Sequence, residues 1–492
     1  MSSRNAILAG ARRVPGARLR LLPLLVAAAL SSQAQAADLW SIARDALDNN
    51  ADLASSRATY QSVEEARNVE RGDLLPQIDA TATAANHRTF ESQSSAAGGG
   101  GGAAGGISDD DYNSASIGVE ATQALFDATN WYQLKRSENQ IDQQALTLEQ
   151  TRQQTLYDVA NAYFQILQAR DILAARVAQE KAIGRQLEQA KEQFQVGLIA
   201  ITDVHEAQAS FDLARAQRIA AESDLQVSFE ALERLTGKRY DSIEGLSDDL
   251  PIESPEPGNR NAWVSLAMEN NPTLLATREG IDIAQDSVDI ARSGHLPTLG
   301  AYADYNYSDN DVDYLEGHNS GAEIGLRANL PIFHGGSTSA QVRSNSYQLE
   351  AAQYDFESQR RQTTQQVRSL YTQVVNDVQS VEAQRQAIVS NRSALEATRS
   401  GYEVGTRNIV DVLQAEQNLY DAQASYAESR YTYVTDLLAL RRESGILDIG
   451  ALRTLNDWLK ADQTVRLNLP EGAGSDDAMM DIGEPPVPPS EQ

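Results

Sequence analysis

Two short segments carry the side chains best suited to polar chemistry, and they resemble one another. Phe-Gln-Val-Gly-Leu-Ile-Ala-Ile-Thr-Asp-Val at 194–204 matches Tyr-Glu-Val-Gly-Thr-Arg-Asn-Ile-Val-Asp-Val at 402–412, at a spacing of 208 residues. Gly197 and Gly405 suit a left-handed turn, which favours a residue without a Cβ. Asp203 and Asp411 suit the first turn of a helix, where a carboxylate meets the positive end of the dipole. The copies differ in polar character: Tyr402 stands where the first has Phe194, Arg407 where it has Ile199, and Thr202 faces Val410. Only together do they supply an acid, a phenol, a hydroxyl and a guanidinium. Arg407 is suited to pair with Asp203 on a neighbouring hairpin, and Tyr402 to donate to the same carboxylate. Ordinary solvated surface at a helix tip is the alternative.

Other chemistries lack their residues. The histidines, at 87, 205, 295, 318 and 334, have no metal-ligand spacing. His205-Glu206 lacks the second histidine of a zinc-binding helix. The glycines between Gly98 and Gly106 follow a polar strand end rather than opening a helix, so they cradle no phosphate. No Ser/His/Asp arrangement stands out, and neither an enzyme nor a cofactor is expected. With no cysteine, thiol nucleophiles, disulfides and thiolate metal sites are excluded. A net charge of -28 argues against a nucleic-acid partner, which needs a basic face. Hydrophobic residues at 41% and aromatics at 6% fit an elongated architecture better than a large compact enzyme.

The elements that position the two segments also come in pairs. Gly118 and Phe126 match Gly325 and Phe333 at a spacing of 207, and Asn50 and Leu53 match Asn271 and Leu274 at 221. Leu75-Pro76 matches Leu296-Pro297 at the same 221. A tandem duplication is therefore predicted, with repeats at 37–250 and 251–446. The first would hold a helix over 38–72, strands at 75–90 and 113–126, a long helix at 127–196 and a return helix at 201–236. The second would hold a helix at 262–293, strands at 298–308 and 321–333, a long helix at 337–404 and a return helix at 408–446. Each long helix, at about 70 residues, would run roughly 100 Å. Such length points to coiled-coil packing.

The return helix shows the seam: Val204, Ala207, Phe211, Ala214, Arg218, Ala221, Leu225, Ser228, Leu232 and Leu235 step by three and four. Return and opening helices are each about half length and would stack end to end beside the long ones. Segments 237–261 and 447–469 would then form a girdle at mid-height. The strands alternate with a period of two, as Ala322, Ile324, Leu326, Ala328 and Leu330 against Glu323, Gly325, Arg327 and Asn329. That pattern fits a one-sided soluble sheet or a membrane barrel. Four strands cannot close a transmembrane barrel, so spanning lipid would require an oligomer.

The ends are read separately. Residues 1–36 form a Sec-type signal, with five arginines, an apolar run and Ala34-Gln35-Ala36 for cleavage. Its removal leaves a charge near -33. No later run is long and apolar enough for a helical span, which does not bear on a β-barrel. Residues 91–111 read as a flexible loop and 470–492 as a disordered acidic tail.

The paired turn segments resemble those of the TolC family of outer-membrane channels. Leu74-Leu75-Pro76-Gln77, Gly294-His295-Leu296-Pro297, Asn161-Ala162-Tyr163-Phe164 and Asn418-Leu419-Tyr420-Asp421-Ala422 fit as well, and the likeness spans about 38–455. The resemblance implies a mixed α/β membrane protein of a Gram-negative cell. As a homotrimer it would close a twelve-stranded outer-membrane barrel, four strands per chain, continued by an α-helical periplasmic barrel. It implies a passive exit duct for multidrug efflux and type I secretion. Its partners would be a periplasmic adaptor, an inner-membrane pump of RND, ABC or MFS type, and outer-membrane lipid. Asp203 and Thr202 would meet Tyr402 and Arg407 in a gate, with Gln186 accessory. Asp411 of three copies would ring the constriction, where Gln414 replaces a second aspartate of the family pattern. Adaptor hairpins would dock at Gly197, Leu198, Gly405 and Thr406. The alternative is a periplasmic coiled-coil scaffold or adaptor without a pore. A constitutively open nutrient porin is a third reading.

Overall fold

The computed structural model describes residues 36–88, 112–247, 250–311 and 317–467. All but the last residue of the expected leader, the glycine-rich loop at 91–111 and the acidic tail at 470–492 lie outside the described residues. The chain runs α1 (Leu39–Asn49), α2 (Ala51–Gly72), β1 (Gln77–His87), β2 (Tyr112–Phe126), α3 (Ala128–Gln195) and α4 (Ile201–Thr236). After β3 (Ser242–Leu246) the same order of elements follows: α5 (Arg260–Asn270), α6 (Pro272–Ser293), β4 (Thr298–Asn310), β5 (Gly317–Asn329), α7 (Ser337–Glu403) and α8 (Ile409–Glu443). It closes with α9 (Ile449–Asn456) and β6 (Leu459–Arg466).

The opening helices, expected to be continuous, are each broken by one asparagine. Asn50 ends α1 and caps α2, with ψ 124° and its side chain accepting from Leu53 N. Asn271 does the same between α5 and α6, with ψ 114°, accepting from Leu274 N. The two also reach across the chain. Asn50 Nδ2 donates to Leu235 O at 3.0 Å, and Asn271 Nδ2 donates to Glu443 O at 2.7 Å. Each break therefore satisfies a carbonyl at the end of a return helix, and α2 continues above α4 as α6 does above α8. Close approach at the second joint depends on Gly445, where a Cβ would fall 2.1 Å from Asn270 O.

The main sheet is antiparallel in the order β1-β2-β4-β5, which leaves β1 and β5 unpaired along their outer edges within the chain. One face carries Ile78, Ile117, Val119, Tyr305, Ile324 and Leu326, all exposed, with Ile324 at 86%. The other face carries Asp79, Glu120, Asp304 and Glu323. β5 stops at Asn329, short of the expected 333, because Pro331 has no amide for the ladder. Two further strands were not expected: β3 and β6 pair antiparallel in the girdle.

α3 packs against α2, α4, α6 and α8, and α7 packs against α5, α6 and α8. The α2/α4 column therefore lies on one flank and α7 on the other. The largest core gathers around the girdle, where Tyr163, Phe164, Trp263, Tyr431, Leu232 and Ile243 are buried. Of the sequence-read seam, Ala207, Ala214, Ala221, Leu225, Leu232 and Leu235 are buried. Alanine there lets backbones approach where larger residues would hold them apart. No helix among the described residues is long and apolar enough to cross a membrane.

Candidate functional site: the helical turns and the ties between hairpins

Both turns use the same backbone. Gly197 takes φ +77° and Gly405 +78°, the left-handed conformation that ends a helix. Leu198 N–H closes on Gln193 O at 2.8 Å, and Thr406 N–H on Gly401 O at 2.8 Å. Gly197, Leu198, Gly405 and Thr406 are all exposed, as the tips of the hairpins.

Their polar side chains are arranged differently from the sequence expectation. Tyr402 donates to Gln193 Oε1 at 2.7 Å, rather than to Asp203. Burial, and then the nearby Asp203 carboxylate, push the phenol above its ordinary value, so it remains a donor. Arg407 lies 3.8 Å from Asp411, one turn along its own chain, rather than pairing with Asp203. The reason is local: Asn408 and Asp411 form a reciprocal capping box that fixes the carboxylate at the third helical position. Thr202 is exposed and Asp203 half-buried in the first turn of α4. Gln414 is exposed and donates to Asn418 Oδ1 at 3.0 Å.

The strongest tie was missed. Glu416 of α8 is fully buried, and its Oε1 accepts from Arg399 Nη2 of α7 at 2.6 Å and from Gln186 Nε2 of α3 at 3.3 Å. Gln186 thus reaches Glu416, a partner that had not been assigned to it. A carboxylate among apolar neighbours is stable only when paired. The sequence signal was a charged residue in a seam otherwise built from Val412, Leu413 and Leu419. Further up, Arg176 meets Asp421 at 2.6 Å, and Tyr431 donates to Asp171 Oδ2 at 2.7 Å. Four polar ties thus join the two hairpins from tip to girdle. Among the described residues, no group of three or more histidine or acidic side chains is placed to hold a metal.

Residues 42–238 and 263–445 match the family described as outer membrane efflux protein. Outer membrane protein TolC of Vibrio cholerae is 35% identical over 449 residues, covering 90% of this chain and 99% of the relative. Alkaline protease secretion protein AprF of Pseudomonas aeruginosa is 29% identical over 410 residues, covering 82% of this chain and 83% of the relative. Among solved structures, the outer membrane protein VceC of Vibrio cholerae superposes with a TM-score of 0.69 at 19% identity, covering 83% of this chain and 96% of that one. Family match, identity across nearly the whole of a relative and shared fold agree: this chain belongs to the outer membrane efflux protein family, and is an outer-membrane exit duct of the TolC type.

Proposed function

We propose that three copies assemble into one continuous duct. The observation that carries this is a four-stranded sheet with two open edges and one exposed apolar face, joined to two helices each roughly 100 Å long. Open edges are untenable in lipid, and three times four strands close a barrel. Ile78, Ile117, Val119, Ile324 and Leu326 would then face lipid, and the polar face would face water. The flanks support the same closure. Val69, Leu213, Ile219 and Val227 are exposed on α2 and α4, and Tyr347 and Tyr354 on α7. Two different apolar flanks on one chain form a head-to-tail interface, which closes as a ring. The common order of elements in the two halves supports a tandem repeat, so the ring would carry six similar units.

The lower end is the gate. Tyr402 on Gln193 and Gln186 on Glu416 tie the hairpins of one chain, and Thr202, Asp203 and Arg407 hold the end shut against the neighbouring copy. Asp411 of three copies narrows the lumen and attracts cations, as a ring of like charge does. Gln414 leaves that ring single, so its selectivity is weak. A periplasmic adaptor docks on the exposed tips at Gly197, Leu198, Gly405 and Thr406, and an inner-membrane pump of RND, ABC or MFS type supplies the cargo. The name of AprF supports protein export as one of the duties.

Single-channel recording in bilayers tests this. The purified chain should conduct as a trimer, and Asp411→Ala should reduce its preference for cations. A soluble, non-conducting product would refute the duct, and unchanged selectivity would refute the acidic ring.

A further inference from the structure

The helices on the open flanks of the chain correspond, position for position, to helices that already meet inside it. α3 packs on α6 and α8 within the chain. In a ring, α7 of one copy would pack on α2 and α4 of the next. Positions in α3 and α7 correspond at a spacing of 208, as do those in α4 and α8, while α2 and α6 correspond at 221. Contacts inside the chain therefore name partners between chains. This step rests on the ring assembly proposed above.

Above the girdle, Lys135 Nζ meets Asp286 Oδ1 at 2.8 Å and Asn139 Nδ2 donates to Asp286 Oδ2 at 2.6 Å. The Asp286 side chain is only 1% exposed. The corresponding positions hold Arg343, Tyr347 and Glu65, so a base again opposes an acid, and a second donor again stands one turn away. All three are exposed in the isolated chain. Closer to the girdle, Gln153 Nε2 donates to Gly445 O at 3.3 Å, and Arg442 Nη1 donates to Gln154 Oε1 at 3.2 Å. Their counterparts are Arg361 with Gly237, and Arg234 with Gln362. Gly237 and Gly445 both take left-handed conformations, at φ +65° and +71°. Each follows the end of a return helix, where carbonyls lack partners and positive charge is favoured.

We propose that adjacent copies are fastened above the girdle by Arg343 and Tyr347 of one on Glu65 of the next. Arg361, which also pairs with Glu357 in its own chain, reaches the carbonyl end of the next copy's α4 at Gly237. Below the girdle the template is not repeated. Arg176 and Asp421 correspond to Gln384 and Leu213, and Gln186 and Glu416 to Ala394 and Gln208. These two ties therefore have no counterpart between copies, in contrast to those above the girdle.

The cysteine-free chain permits a direct test. A Glu65→Cys, Arg343→Cys double variant treated with a short bismaleimide should give covalent dimers and trimers on a denaturing gel, with neither single variant doing so. Glu65→Lys and Arg343→Glu should each reduce the trimer recovered in detergent about tenfold, and combining them should restore most of it. A channel that remains trimeric but yields no linked species overturns this seam, as does a double reversal no better than the single ones. A wild-type chain that runs as a monomer overturns the assembly instead.

Discussion

At the turn between α3 and α4, helix α4 starts from Ala200, which provides no side-chain cap, and Val196 and Leu198 project at 70% and 73% exposure. At the turn between α7 and α8, Asn408 and Asp411 cap the helix reciprocally, and Arg407 lies against Asp411. The contrast continues upward. Arg399 and Glu416 correspond to Lys191 and Gln208, and Asp377 and Asp436 to Ala169 and Ser228. The first turn is uncapped and its hairpin is joined by an ion pair of Arg218 with Glu180, whereas the second has a capping box and a fully buried Glu416 held by Arg399. Two copies of a backbone need not be fastened alike: Arg218 with Glu180 in the first and Arg399 with Glu416 in the second lie at positions that do not correspond.

The largest break in this comparison should come from Arg399→Leu, which leaves the buried Glu416 without its cationic partner. A loss of about 3 kcal/mol is expected in thermal unfolding, whereas Lys191→Leu should change stability by less than about 0.5 kcal/mol. Equal losses would erase the distinction. Gly197→Ala and Gly405→Ala should each cost about 1–2 kcal/mol, because both sites have positive φ, and the equality of the two values is the check.

Asp377→Asn should act in the opposite direction. Burial, followed by the Asp436 carboxylate, pushes Asp377 up to about 6. With its value raised in the folded chain, its contribution favours folding below about pH 4 and is lost as the pH climbs through 6. The substitution should therefore stabilise the chain by about 1 kcal/mol at pH 7.5, a figure kept small because the carboxyl is half exposed. It should also flatten the melting temperature between pH 4 and 7. The smallest effects belong to the caps. Asn408→Ala should cost about 1 kcal/mol and Ala200→Asn should gain somewhat less, measured by denaturant unfolding.

Much of this was legible in the residues. The long helices could be read because no proline and few glycines interrupt them, and the turns because a left-handed position nearly demands Gly197 and Gly405. The breaks at Asn50 and Asn271 were not read, although asparagine three residues before leucine, with Pro272 opening the second helix, is a capping signature. A polar residue inside a helical pattern does not announce that its side chain is needed by a carbonyl 185 residues away. The bond from Tyr402 to Gln193 was not read for a similar reason. Asp203 and Gln193 lie at comparable height, and only the packed geometry ranks them. Glu416 required both partners at once, one 17 and the other 230 residues distant.

The core is concentrated at the girdle, and only small apolar clusters, around Ile183 and Leu395, occur nearer the tips. From girdle to turn the hairpins extend about 35 residues, or roughly 50 Å. Mechanically each hairpin is a cantilever, clamped at one end and free at the other. A tilt of about 5° at the clamp carries a tip 50 Å away through about 4 Å. Force applied at the tip works through that whole arm, so the tips can shift while the girdle core hardly moves.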